Sequence, residues 1–121
     1  MSQEKPTIYH VGSRETLRQL RDDIFRLHGF AVASTLSFNQ VLADVPKQSY
    51  DLVLIDVEGE RRVEEAERLC AEIKKVVPTQ HVAYVCNYRV AIHSECPDDI
   101  IRNEFDPEAL IRSLKEVISS H

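Results

Sequence analysis

A chain of 121 residues has room for one domain with a real core and not for two. Its 43% hydrophobic and 29% charged residues are an ordinary globular balance, which excludes disordered and collagen-like classes. The net charge of -5 argues against a nucleic-acid-binding surface, because phosphate contacts need a basic patch.

No apolar run is long enough to span a bilayer. The polar residues 1–6 lack the apolar segment of a signal peptide, so a cytoplasmic location is expected. Cys70, Cys86 and Cys96 are an odd number of cysteines in such a chain, and reduced thiols are the expectation.

Residues 7–11 (Thr-Ile-Tyr-His-Val) form a β-prone run ending at Gly12. Ser13 reads as the N-cap of a helix over 14–28, with Leu17, Leu20, Ile24 and Leu27 at helical spacing and Phe25 widening the stripe. Gly29 stands where a helix takes a left-handed C-terminal residue. Residues 30–35 read as a second strand. Ser37-Phe38-Asn39-Gln40 has the form of a capping box for a short helix carrying Val41, Leu42 and Val45 and stopped by Pro46.

The stretch Tyr50-Asp51-Leu52-Val53-Leu54-Ile55-Asp56-Val57 is apolar and β-branched with acids at its borders, the pattern of a strand buried on both faces. Asp56 closes its apolar run. In an open α/β sheet the ligand crevice lies outside the carboxyl ends of the strands, so this carboxylate stands where such folds keep their chemistry. After the turn Glu58-Gly59-Glu60 comes a helix from about 61 to 77, with Val63, Ala66, Cys70, Ile73 and Val77 on one face and Leu69 and Val76 beside them. Residues 81–86 form a fourth strand, 87–96 hold at most a two-turn helix, and 99–102 form a short fifth strand. Asp106-Pro107-Glu108 is a strong helix start, followed by the stripe Leu110, Ile111, Leu114, Val117 and Ile118. Strand and helix alternate five times, which gives one doubly wound α/β sandwich over 1–121, core about 6–119, with a five-stranded parallel sheet.

Two stretches carry a family resemblance. Residues 50–57 resemble the "YDLVLLDL" strand of response-regulator receiver domains. Pro97-Asp98-Asp99-Ile100-Ile101-Arg102-Asn103-Glu104-Phe105-Asp106-Pro107-Glu108-Ala109-Leu110 resembles their "ADDYLTKPFDPEEL" run into the last helix. The resemblance extends over the whole chain and implies a CheY-like, flavodoxin-like (βα)5 fold, with Asp56 at the phosphoacceptor position.

The departures from that pattern are as informative. The acidic pair that helps receivers hold Mg²⁺ is here Gly12 and Ser13, and a hard cation wants carboxylate oxygens. Cys86 stands at the Ser/Thr position, Asn103 at the lysine, Glu104 at the following proline and Ile100 at the switch aromatic. Asp56 alone remains, with Arg14 as a candidate charge for the crevice. Phosphoryl transfer depends on positioning and charge neutralisation, so the sequence looks like a degenerate, or pseudo-, receiver. It is expected to be no enzyme and to use no cofactor, with Mg²⁺ at Asp56 only if the pocket proves functional.

The expected role is that of a stand-alone signalling domain, without a fused output domain, that works through a protein partner, a histidine kinase being one candidate. By resemblance its contact face would lie near Arg102, Asn103, Arg112 and Lys115, and the chain would be a monomer or weak homodimer. Two readings stay open beside it: a true phosphorelay receiver phosphorylated on Asp56, and a metal- or redox-responsive module using Cys86 and Cys96. His81, Cys86, His93 and Cys96 match no common zinc spacing. Ser13 with His10 as a hydrolase pair lacks a nucleophile elbow or third group.

Overall fold

The computed structural model describes residues 4–93, 95–103 and 106–120. Its elements are β1 (Thr7–Val11), α1 (Glu15–Leu27), β2 (Ala31–Thr35), α2 (Phe38–Asp44), β3 (Leu52–Val57), α3 (Val63–Val76), β4 (Val82–Cys86), β5 (Asp99–Arg102) and α4 (Pro107–Ser119). Short 3-10 turns follow α2 (Val45–Lys47) and precede α3 (Glu60–Arg62). All neighbouring strands are parallel, in the order β2-β1-β3-β4-β5. The doubly wound five-stranded sheet expected from the sequence is the fold.

Burial follows from that order. β3 and β4 lie inside the sheet with both faces covered, and every residue of both is buried. β2 is an edge and stays half-exposed. One core side joins Ile8, Leu52, Leu54, Ala83 and Val85 to Phe25 of α1 and Leu110, Ile111 and Leu114 of α4. The other joins Tyr9, Val11, Val53, Ile55 and Tyr84 to Val41 of α2 and to Ala66, Leu69, Cys70 and Ile73 of α3. Each such aliphatic side chain contributes roughly 1.5–3 kcal/mol when fully buried.

Local signals behave as their chemistry dictates. Ser37 accepts from the Gln40 amide at 3.3 Å, while the Gln40 side chain turns to Asp44 instead of back to Ser37, so only half of the capping box forms. Asp106 caps α4 through the Ala109 amide at 3.1 Å. Gly29 takes φ +92° after α1, a conformation that side chains resist.

Two expectations change. The N-cap of α1 is Arg14, without a side-chain bond; Ser13 is not the cap because its hydroxyl is committed elsewhere. The Leu17/Leu20/Ile24/Leu27 stripe is also not the buried face: Leu20 is 56% and Leu27 81% exposed, while Asp22 and Phe25 are buried. Among the described residues of 87–98 no helix forms between β4 and β5. The carbonyls of Asn87 and Val90 accept from Arg102 at 3.0 and 2.6 Å, and the Asn87 side chain accepts from the Arg89 amide, so local partners replace helical ones. Val90, Ile92 and Cys96 still pack on the α3 side of the sheet.

Candidate functional site

The carboxyl ends of β1 and β3 meet the first turns of α1, and there the sequence has placed Gly12. A Cβ at that position would lie 2.8 Å from Cβ and 3.0 Å from Cγ of Arg18, separations that real side chains do not adopt. Only a bare backbone lets α1 approach β1 so closely. The stem of Arg18 therefore occupies the space into which an acid at position 12 would project.

That approach brings a chain of charged side chains into the interior. His10 on β1 is fully buried, because it lies on the same face as Ile8 and registers against Leu54 of β3. Its Nδ1 lies 2.8 Å from Asp22 Oδ1 and its Nε2 2.7 Å from Asp56 Oδ2. A neutral imidazole has one N–H and one lone pair, so it could donate to only one carboxylate and would set a lone pair against the other. With both carboxylates ionised, the arrangement requires the imidazolium. Burial acts against its charge, and the two carboxylates outweigh it, so the His10 pKa lies above the ordinary value.

The chain extends at both ends. Asp22 also accepts from Arg18, at 3.0 Å, and from the Ser34 hydroxyl; Arg18 reaches Ser34 at 2.6 Å and pairs with Glu15. Burial pushes Asp22 upward, but these donors and the His10 charge hold its pKa below the usual carboxylate range. Arg21 binds the second oxygen of Asp56. The order Glu15, Arg18, Asp22, His10, Asp56, Arg21 thus alternates in sign throughout. Both oxygens of Asp56 are engaged, and its side chain is only 3% accessible.

Arg14 has a different partner. Its guanidinium forms a two-point pair with Glu58, at 2.9 Å from Nε and 2.5 Å from the terminal nitrogen. Ser13 Oγ donates to the same carboxylate at 2.8 Å, and Arg62 holds the Ser13 carbonyl. The hydrogen bond from Arg14 is the main influence keeping Glu58 below its ordinary pKa. Arg14 stands at the crevice and is mostly exposed; the guanidinium on Asp56 is that of Arg21.

The other expected positions surround the same opening. A crevice of about 340 Å³ lies between α1 and the start of α4, bordered by Leu17, Ile24, Asp56, Cys86, Asn103 and Leu110 among others. Cys86 is buried, and burial pushes its thiol pKa upward against the nearby Arg102. Asn103 is turned to the backbone of Asp106, donating to its carbonyl at 2.8 Å. Arg112 and Lys115 are exposed, whereas Arg102 is half-buried on the 87–98 connection. Ser94, Glu104 and Phe105 lie outside the described residues.

Mg²⁺ does not fit the side chains present. Gly12 offers no donor, Ser13 and Arg14 occupy Glu58, and His10 and Arg21 occupy Asp56. Among the described residues no cluster of three or more His, Cys, Asp or Glu side chains suits a metal ion. The region proposed from His81, Cys86, His93 and Cys96 does not converge: His81 is on Asp99, Cys86 is beside Arg102 and Cys96 meets Cys70. His10 and Ser13 form no hydrolytic pair, because both nitrogens of His10 face carboxylates.

The fold is shared by solved response regulators. A response regulator from Thermotoga maritima matches with TM-score 0.75 and 21% identity over 95% of this chain and 98% of that one. The chemotaxis response regulator CheY4 of Vibrio cholerae matches with TM-score 0.77 and 15% identity over 93% and 98%. The chain has the fold of a CheY-like receiver domain. A further receiver-fold match, with TM-score 0.76 and 18% identity over 93% of this chain and 97% of the other, comes from a complex of the histidine kinase ThkA with the response regulator TrrA. No protein-family model and no curated protein matches the sequence. Within this receiver fold, the residues that sequence reading missed are Arg18, Arg21, Asp22 and Ser34, and His10 was weighed there only as a hydrolase base. The available signal was an ionisable residue, His10, inside an otherwise apolar strand.

Proposed function

We propose that this chain is a receiver-fold signalling module of the two-component type, acting through contact with a protein partner and without Mg²⁺-dependent phosphorylation of Asp56. The observation that carries this reading is the engagement of both Asp56 oxygens by His10 and Arg21. A phosphoacceptor needs a free oxygen in line with its donor, and neutralising cations that strengthen as charge builds on the transferred group. Here the available cations already serve the resting carboxylate. On this reading the domain is no enzyme and uses no cofactor. A protein partner is supported by the kinase-bound arrangement of TrrA.

The alternative of a true phosphorelay receiver draws support from the position of Asp56 at the carboxyl end of β3, one register pair before its last. Intact mass after incubation with acetyl phosphate, with and without Mg²⁺, decides between the two, with Asp56→Asn as control. No adduct in either condition is the expected result. A Mg²⁺-dependent, hydroxylamine-labile phosphate that disappears in the control establishes the alternative.

A further inference from the structure

Cys70 projects from α3 into the core and is fully buried. Cys96 lies half-buried on the 87–98 connection, whose described residues form no helix, and packs against the same cluster. Although 26 positions apart in sequence, their sulfurs stand 2.6 Å from each other, and both are thiols. Two sulfurs that merely pack keep a wider separation, and the covalent bond, at about 2.05 Å, is reached with little movement. Cys86 has a different neighbour, the guanidinium of Arg102 at 3.6 Å.

We propose that Cys70 and Cys96 are a reversible, hydroperoxide-sensitive dithiol whose disulfide pins the 87–98 connection to α3. Cys96 is the entry point because it is the more accessible of the two. Its thiolate attacks the outer oxygen of the hydroperoxide; an S–O bond forms, the O–O bond breaks, and the alcohol (water, for hydrogen peroxide) departs with the proton. The Cys70 sulfur then attacks the resulting sulfenic acid, the S–S bond forms, and the hydroxyl leaves as water with the Cys70 proton. Two thiols lose two electrons and one peroxide bond gains them. A dithiol reductant reverses the step. Burial and the nearness of Cys96 raise the pKa of Cys70, which keeps it from meeting the oxidant first; its 2.6 Å approach to Cys96 is what places it to resolve the sulfenic acid.

The link acts on a segment with little regular structure of its own. The connection is held by the Arg102 hydrogen bonds to Asn87 and Val90 and by the packing of Val90 and Ile92. A bond from Cys96 to α3 restricts its local opening and fixes the surface it presents.

The test uses the full chain, reduced and then exposed to hydrogen peroxide, quenched with N-ethylmaleimide and weighed intact. The expected product has lost two hydrogens and carries one maleimide, on Cys86, with a peptide joining positions 70 and 96; dithiothreitol restores maleimide uptake by all three cysteines. Cys86→Ser closes at an unchanged rate. Substituting buried Cys70 disturbs the core, so half-buried Cys96→Ser is the deciding variant, and it slows peroxide-driven thiol loss at least about tenfold. Amide exchange over 87–98 falls on oxidation. Full maleimide uptake after peroxide, a bridge through Cys86, a bridge between two chains, or unchanged exchange over 87–98 overturns the proposal.

Discussion

On the α1/α4 side of the sheet, His10 and Asp56 stand beside Ile8, Leu52 and Leu54 and are answered by Asp22, Arg18 and Arg21. On the α2/α3 side, Tyr9, Val53, Ile55 and Tyr84 meet Ala66, Leu69, Cys70 and Ile73, with no Asp, Glu, Lys or Arg among the described residues of the cluster. The first side places full charges in the interior and neutralises them pairwise. The second excludes charge and leaves one described hydroxyl, that of Tyr84, buried without a hydrogen-bond partner. Burial is nearly as complete on both sides, so apolar area alone does not separate them. The difference is what happens when one member is removed: an apolar core loses contacts, whereas an alternating chain is left with an unanswered charge.

His10→Leu should therefore break the comparison most strongly. It leaves Asp22 and Asp56 buried without the cation between them, and breaking such a pair costs about 3–5 kcal/mol. Urea unfolding at neutral pH reads this directly; a loss below about 1 kcal/mol would mean that the imidazolium does not hold the α1 side together.

Acidity tests the same chain without mutation. The His10 pKa is raised in the folded state, so its contribution is complete below the unfolded value of about 6.5 and is lost as pH rises through the raised folded value. The Asp22 pKa is lowered, so its contribution is present above about pH 3.9 and is lost as pH falls through the lowered folded value. The urea midpoint should be highest between these limits, and His10→Gln should flatten the alkaline decline. An alkaline decline of the same size in that variant would assign the effect to another group.

Gly12→Ala probes the close approach that makes the chain possible. Its new Cβ meets Arg18 at 2.8 Å, and overpacking of this kind costs about 1–3 kcal/mol. Gly12→Asp is expected to bind no Mg²⁺ by isothermal titration, because Arg18 fills the space and Asp56 is already engaged. On the opposite side, Tyr84→Phe removes the unpartnered hydroxyl and should change stability by less than about 1 kcal/mol, with a gain the expected sign. A large loss there would reveal a partner for that oxygen.

The sequence made the alternation of strands and helices, the placing of Asp56 at the carboxyl end of β3 and the cap at Asp106 legible, because each is signalled by neighbours in the chain. The site was only partly legible, for a reason visible in α1. Its leucines repeat at helical spacing, so Leu20 and Leu27 read as core, and Arg18, Arg21 and Asp22 fall outside that stripe. That assignment assumes that charge faces water. It reverses when two acids can reach a histidine from a different element, and the contacts of His10 with Asp22 and Asp56 span 12 and 46 positions. Between β4 and β5, where at most two helical turns were expected and the described residues form none, the deciding group was hidden similarly, since Arg102, which takes the carbonyls, belongs to the next strand.

The alternating chain has a further consequence in salt. Glu15, Asp22 and Asp56 balance Arg18, His10 and Arg21, so its formal charges cancel, and the two contacts of His10 lie away from solvent. Mobile ions screen exposed charges over a Debye length of about 8 Å at physiological ionic strength, and reach buried pairs far less. Added salt therefore weakens the Arg14–Glu58 pair at the crevice, whose arginine is 65% exposed, and leaves the bonds of His10 nearly untouched. In a protein of net charge -5, the response of stability to ionic strength reports on the rim of the fold and is silent about its most highly charged interior.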